Sequence, residues 1–208
     1  MNVALFTVAK SASTYLSRNL ELQEGVKKIE QYNIGTYDFA EGEFDKINSE
    51  SLTISCIRHP VERLFSALYY SERVYHIRKK RGFDNNSKEA KAFDELSIEE
   101  KIKKILSFKF VESLLPEVQS CKVGFLEKNY DIFYKLDELM FHEEMEICIS
   151  DFNKKYKTSL NNKIVAGYGE KHPFEELTKS LKGKYLDRLS ELYSKDIECY
   201  FDLKNKFL

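Results

Sequence analysis

The hexapeptide Leu52-Thr53-Ile54-Ser55-Cys56-Ile57 is apolar or small at every position and carries no charge. A strand of that kind has no face to offer to water, so it must be covered on both sides, as in a parallel sheet sandwiched by helices. It runs directly into Arg58-His59-Pro60, and Pro60 stands where the first turn of a helix tolerates a missing N–H. Leu64, Phe65, Leu68 and Tyr69 follow at helical spacing, towards the basic stretch Arg78-Lys79-Lys80-Arg81. A second apolar run, Asn2 to Val8, reads as another buried strand. The polar segment Lys10-Ser11-Ala12-Ser13-Thr14 follows, and Tyr15, Leu16, Leu20 and Leu22 then predict an amphipathic helix ending near Gly25. Val26 to Tyr32 reads as a further strand. Alternation of strands and helices predicts an α/β fold, with a mostly parallel central sheet flanked by helices. In such sheets ligands sit beyond the carboxyl ends of the strands, which is where both polar segments fall.

Only 8 Gly and 3 Pro interrupt 208 residues, so long helices and few loops are expected, in one domain spanning residues 1–208. The stretch Gly82 to Asp94 is polar and is expected to be a mobile insertion. Ser97-Ile98-Glu99-Glu100 reads as a helix start with Glu100 at the capping-box position. Strands are expected at Lys122 to Leu126 and Tyr130 to Leu136, and helices at His142 to Tyr156, Phe174 to Leu181 and Lys184 to Phe201. In the last of these, Leu186, Leu189, Tyr193, Ile197 and Tyr200 recur at three and four residues, the mark of one buried face.

Charge narrows the classes of function. With 33 Lys and Arg against 34 Asp and Glu the net charge is -1, which argues against a nucleic-acid partner. The run Arg73 to Arg81 has two readings, an attractor for an anionic acceptor such as an acidic glycan or for a nucleic acid, or the solvated end of an amphipathic helix. Four scattered cysteines with no C-x-x-C pair suggest neither a disulfide framework nor a zinc knuckle. Phe141-His142-Glu143-Glu144 lacks the second His of a zinc-protease helix, so no metal is expected. No apolar run approaches the roughly 18 residues of a membrane span. Met1 to Phe6 has no basic leader, and a cytoplasmic protein is the expectation.

The two polar segments have the chemistry of anion sites. In the first, small and hydroxylated residues between strand and helix let backbone N–H groups converge on an oxyanion at the positive end of the helix dipole. Ser11, Ser13 and Thr14 add hydroxyls, and Lys10 adds a positive charge. The plainer alternative is an ordinary Ser/Thr helix cap beside a solvated lysine. In the second, Arg58 ends the central strand and Ser66 lies six residues into the next helix, a guanidinium and a hydroxyl suited to clamping a phosphate. The plainer alternative pairs Arg58 with Glu62 on the surface, with Glu62 and Arg63 structural in either case.

Together these segments resemble the two cofactor signatures of the sulfotransferases that use 3′-phosphoadenosine 5′-phosphosulfate (PAPS), most closely the carbohydrate-modifying branch of heparan and chondroitin sulfotransferases and their small bacterial relatives. The second segment resembles the Arg-x-Pro-x-x-Arg-x-x-Ser pattern of that family, reading Arg58-His59-Pro60-Val61-Glu62-Arg63-Leu64-Phe65-Ser66. Asp131 to Leu139 is similar to the family's later strand segment, and Leu192 to Phe201 to its C-terminal helix. Ala9 stands where many members have Pro, Tyr134 where Gly is usual and Asp137 where Glu is usual. No His occurs between Met1 and Arg58, where many members carry their general base.

The resemblance implies a P-loop-like sulfotransferase fold and in-line transfer of a sulfuryl group from PAPS to a hydroxyl or amine of a carbohydrate or glycoconjugate acceptor, an anionic glycan among the candidates. Adenosine 3′,5′-bisphosphate would be the product, and no metal is implied. Lys10 would neutralise the leaving side, and Ser11, Ala12, Ser13, Thr14 and Tyr15 would hold the 5′-phosphate. Arg58 and Ser66 would hold the 3′-phosphate. Asp38 lies where relatives place the base; Glu41, Glu43 and Asp45 crowd the same stretch, and His172 sits in a later loop. Two rival readings stand beside this one. A P-loop kinase is disfavoured, because Lys10 precedes the small residues and the loop has no Gly. A non-catalytic nucleotide- or glycan-binding protein on the same fold is the other.

Overall fold

A computed structural model describes residues 1–34, 42–80, 92–108, 118, 121–161 and 174–208. Four strands, β1 (Asn2–Thr7), β2 (Lys28–Asn33), β3 (Leu52–Ile57) and β4 (Glu138–Phe141), form one sheet in the order β2-β1-β3-β4. Every pairing is parallel. The helices among the described residues are α1 (Ser13–Glu21), α2 (Glu43–Glu50), α3 (Pro60–Lys80), α4 (Ile98–Phe108), α5 (Phe125–Lys135), α6 (Met145–Tyr156), α7 (Phe174–Leu192) and α8 (Ser194–Phe207). The fold is therefore α/β, an all-parallel four-stranded sheet flanked by helices. No helix among the described residues is long and apolar enough to cross a membrane.

The chain divides into two compact units. The first comprises Met1–His59, Leu126–Gly169 and Cys199–Leu208, and holds the sheet. Val3, Ala4, Leu5 and Phe6 of β1 are all buried, as are Thr53 to Ile57 of β3. These central strands are covered on both faces, and the side chains show which helix covers which. Phe6 stacks on Tyr32 of β2 at 5.2 Å and packs on Phe44 of α2 at 5.4 Å. Gln31 points to the opposite face from Tyr32, and its amide donates 2.9 Å to the Ser17 hydroxyl of α1. Helices α1 and α2 thus lie on opposite faces, the arrangement right-handed crossovers produce when the chain reverses direction across a parallel sheet. At the edge, β2 is half-exposed and carries the Lys28–Glu30 ion pair, which discourages pairing with another strand.

The amino ends of β3 and β4 are tied by one carboxylate. Asp137 Oδ2 accepts from the Thr53 amide and lies equally close to the Thr53 hydroxyl, both at 2.8 Å, while the Asp137 amide donates to that hydroxyl at 3.0 Å. Asp137 is therefore a register clamp at the edge of the sheet away from the loops after β1 and β3.

The second unit, Pro60–Phe125 with Glu170–Glu198, is helical. Val61, Leu64 and Leu68 of α3, Ile102 and Ile105 of α4, and Leu189 of α7 form its core with Phe93 and Tyr193. The capping box at α4 is present in both directions. The Ser97 amide donates to Glu100 Oε2 at 3.0 Å, and the Glu100 amide to Ser97 Oγ at 3.3 Å. Arg63 is buried with its guanidinium 4.1 Å from the centre of the Phe125 ring, and Glu62 is ion-paired with Lys182.

Several sequence expectations are corrected. The strands expected at Lys122–Leu126 and Tyr130–Leu136 do not form. Helix α5 covers most of that stretch, with Leu126 and Phe133 buried and Tyr130 stacked on Tyr134 one turn on. The fourth strand is Glu138–Phe141, so only Glu138 and Leu139 of the segment 131–139 are extended. Helix α7 runs through Gly183, where the sequence predicts a break, because nothing crowds that glycine and its neighbours Leu181 and Tyr185 anchor the helix in the core. Residues 82–91 of the expected insertion lie outside the described residues, but Phe93 and Asp94 at its end are buried. Leu22, expected on the apolar face of α1, is 80% exposed because the helix ends at Glu21.

Candidate functional site

β1 and β3 are hydrogen-bonded neighbours, with Phe6 opposite Ser55. The loop after β1 and the turn after β3 therefore leave the sheet from the same edge, side by side. The chain moves outward from β1 to β2 in one direction and to β3 in the other. This is the point of topological reversal, where parallel sheets open a crevice for ligands beyond their carboxyl ends.

The β1–α1 loop has an unusual backbone. Lys10 and Ala12 both adopt left-handed conformations, φ 63° and 62°, without being glycine. Such residues cost about 1–3 kcal/mol each and persist only where the surroundings fix them. Left-handed residues interleaved in a turn aim backbone N–H groups towards a common point, an anion-binding concavity. The first bond of α1 runs from the Leu16 amide to the Ala12 carbonyl at 3.0 Å, so the amides of Ser13, Thr14 and Tyr15 precede the intrahelical ladder. Ala12 occupies the cap position and supplies no side-chain cap. The ordinary Ser/Thr cap expected as the plainer alternative does not form.

Not every expected donor is available. The Ser13 hydroxyl donates to the Val8 carbonyl at 3.2 Å, and the Ser11 amide turns inward to the same carbonyl at 3.3 Å. Thr14 is exposed and Lys10 half-buried. The Ser11 hydroxyl is fully buried and has no hydrogen-bond partner among the described residues, and the Tyr15 hydroxyl is in the same position. Burial pushes the Tyr15 phenol above its ordinary value, so it is a neutral donor. Buried polar groups without partners are uncommon; here one lies in the loop and the other in the first turn of α1.

At the end of β3, Arg58 stands half-buried. Its partner is Glu143 rather than Glu62. Arg58 Nε lies 3.7 Å from Glu143 Oε1, near enough for charge attraction but beyond hydrogen-bond length, so the buried Nε makes no hydrogen bond among the described residues. Glu143 sits in the short helical turn His142–Glu144 after β4, the strand beside β3. Its oxygens accept from the His59 amide at 3.2 and 3.4 Å and from the Tyr200 hydroxyl of α8 at 2.8 Å. The His59 ring lies edge-on to the Tyr200 ring, 5.4 Å between centres. Burial, with Glu143 accepting from it, pushes the Tyr200 phenol far above its ordinary value and keeps it a donor.

The residues singled out from the sequence thus fall into three groups. Lys10 to Tyr15 and Arg58 gather at one edge of the sheet in the first unit. Ser66, half-buried on α3, belongs to the second unit. Asp38, Glu41 and His172 lie outside the described residues, as do the stretch 162–173 and most of the insertion. Glu143 carries no functional signal in the sequence beyond a zinc-ligand motif that it fails to complete. Its partners stand 84 and 57 residues away in the chain, and no local pattern reveals them. Among the described residues no group of three His, Cys, Asp or Glu side chains is placed to hold a metal ion. Comparison with family models, with curated proteins and with solved structures finds no match to this chain.

Proposed function

We propose that this chain is a PAPS-dependent sulfotransferase with the P-loop-like fold of that family, acting on a hydroxyl or amine of a carbohydrate or glycoconjugate. The reading is carried by the adjacency of the Lys10–Tyr15 loop and Arg58 at the carboxyl edges of neighbouring parallel strands. A nucleotide with phosphates at both ends of its ribose needs two such cradles close together, and a single-phosphate ligand needs one.

Transfer forms a bond from acceptor oxygen or nitrogen to sulfur and breaks the bond from sulfur to the bridging oxygen of the 5′-phosphate. Negative charge grows on that bridging oxygen. The amides at the start of α1 and the buried Ser11 hydroxyl hold the 5′-phosphate, and the Lys10 ammonium neutralises the leaving charge. Arg58 takes the 3′-phosphate. The acceptor proton passes to a base in the segment between β2 and α2, with Asp38 the candidate.

The experiment has two arms. Adenosine 3′,5′-bisphosphate should raise the melting temperature more than AMP, or than ATP with or without Mg²⁺; at one hundred times its dissociation constant a ligand adds about 2.7 kcal/mol. Transfer of labelled sulfate from PAPS to glycan acceptors should be lost in Lys10→Ala with little change in bisphosphate affinity, the mark of a group acting in the transition state. Equal responses to AMP and the bisphosphate would overturn the reading. Bisphosphate binding without turnover on any acceptor would favour the non-catalytic nucleotide-binding protein instead.

A further inference from the structure

We infer that Glu143 is a positioning residue that sets discrimination for the 3′-phosphate, acting through Arg58; the inference rests on the reading of Arg58 given above. Three chain segments meet on this one carboxylate. The His59 amide comes from the exit of β3, Glu143 itself from the turn after β4, and the Tyr200 hydroxyl from α8. With both oxygens engaged, the carboxylate is fixed and cannot swing out to occupy the guanidinium as a competing anion. Tyr200 is in turn held between ring neighbours, Phe141 at 5.5 Å and Phe201 at 5.4 Å, and is 2% exposed. Glu143 itself is exposed, so these bonds rather than burial hold it.

Glu143 faces Arg58 on its Nε side, at 3.7 Å. A guanidinium is a flat fork with five N–H donors, and it grips a phosphate bidentately only when held in one plane. A fixed negative charge against the Nε edge biases that plane and leaves the other nitrogens for the ligand. It also compensates the arginine charge in the free protein without forming the hydrogen bond a phosphate would have to break. The arrangement therefore orients Arg58 for an anion on the ribose and contributes nothing to the cradle at the start of α1.

This division yields a test that global stability does not mimic. The dissociation constants of AMP and adenosine 3′,5′-bisphosphate are measured by calorimetry for the parent, Glu143→Gln, Tyr200→Phe and Arg58→Ala, and their ratio is the readout. The side-chain amide introduced by Glu143→Gln removes the charge facing Arg58 and would present an N–H to one of the two donors, the His59 amide or the Tyr200 hydroxyl, that now meet a carboxylate. That substitution should cut the ratio about tenfold, through loss of the charge attraction between Glu143 and Arg58. Tyr200→Phe touches neither Arg58 nor the ligand but removes one of the bonds that hold the Glu143 carboxylate, and should cut the ratio about threefold. AMP affinity should stay within about twofold in both, and Arg58→Ala should set the floor of the ratio. Should Glu143→Gln fail to fold, Tyr200→Phe decides alone. Equal weakening of both nucleotides, or a ratio that is unchanged or raised, overturns the positioning role while leaving the sulfotransferase reading intact. A parent that does not prefer the bisphosphate overturns both.

Discussion

The Ser55 hydroxyl of β3 donates a 2.5 Å hydrogen bond to the Phe6 carbonyl of β1, its register partner on the neighbouring strand. Ser55 is fully buried, and the contact lies one residue before the end of β1 and two before the end of β3. It fixes the alignment from which the two polar turns emerge. Ser55→Ala should lower stability by about 1 kcal/mol, the net worth of one such bond. For a chain of this size that is about 2–4 °C in melting temperature, and calorimetric melting of the variant checks it. An unchanged melting temperature would show that the bond does not pin the register.

The left-handed backbone at Ala12 makes an opposite-signed prediction. Ala12→Gly removes a steric penalty of about 1–2 kcal/mol and adds chain entropy to the unfolded state worth about 0.4–1 kcal/mol. The melting temperature should therefore rise slightly. Ala12→Val puts a branched side chain where one is tolerated least and should lower it. Both variants falling together would mean that the loop does not hold this conformation in solution.

Acid should loosen the second unit through Glu99. Its carboxylate accepts from Lys184 at 2.8 Å, Tyr185 at 2.7 Å and Lys103 at 3.2 Å, and these donors hold its pKa down to about 2. A carboxyl whose folded pKa lies below its unfolded value stabilises above the unfolded value, 4.5, and loses that contribution as pH falls from there to about 2. Urea midpoints of the parent should drop across this window more than those of Glu99→Gln. Parallel curves would remove Glu99 from the account.

Lys101 titrates in the other direction. It is fully buried on α4, its ammonium has no hydrogen-bond partner among the described residues, and burial lowers its pKa against the partial support of Asp94 and Glu72. A lysine whose folded pKa is depressed binds its proton less well folded than unfolded, so stability rises with pH between the folded value and the ordinary value of 10.5. Taken as a difference from Lys101→Met, the parent should gain about 1.4 kcal/mol for each unit separating the two pKa values. Chemical denaturation at pH values of about 7 and about 11, the second above the ordinary lysine value, measures that difference. A constant value would show that the ammonium is solvated.

Much of the architecture is legible locally. The uncharged run Leu52–Ile57 is a central strand at the expected bounds, the Ser97/Glu100 capping box opens α4, and Leu189, Tyr193 and Tyr200 lie on buried faces of α7, α8 and the residue joining them. Each is decided by neighbours within a few residues, through strand burial, cap chemistry or helical period. Tyr130-Asp131-Ile132-Phe133-Tyr134 misleads because aromatic and β-branched residues favour strands, whereas burial of Leu126 and Phe133 on one helical face wins in the fold. Tyr193 stands between two helices where one continuous helix is expected, and its hydroxyl reaches the Cys121 carbonyl at 2.6 Å, a partner 72 residues away.

The amino-acid sequence by itself determined the parallel α/β class and which turns carry the polar side chains, since both follow from side-chain polarity and spacing along the chain. Only the tertiary structure decided that β1 and β3 are neighbours, that Arg58 answers to Glu143 and not Glu62, and that the hydroxyls of Ser11 and Tyr15 are buried without partners among the described residues. Those facts depend on sheet order and on contacts between distant segments, whose energies come from burial and pairing across space and leave no periodic trace in the chain.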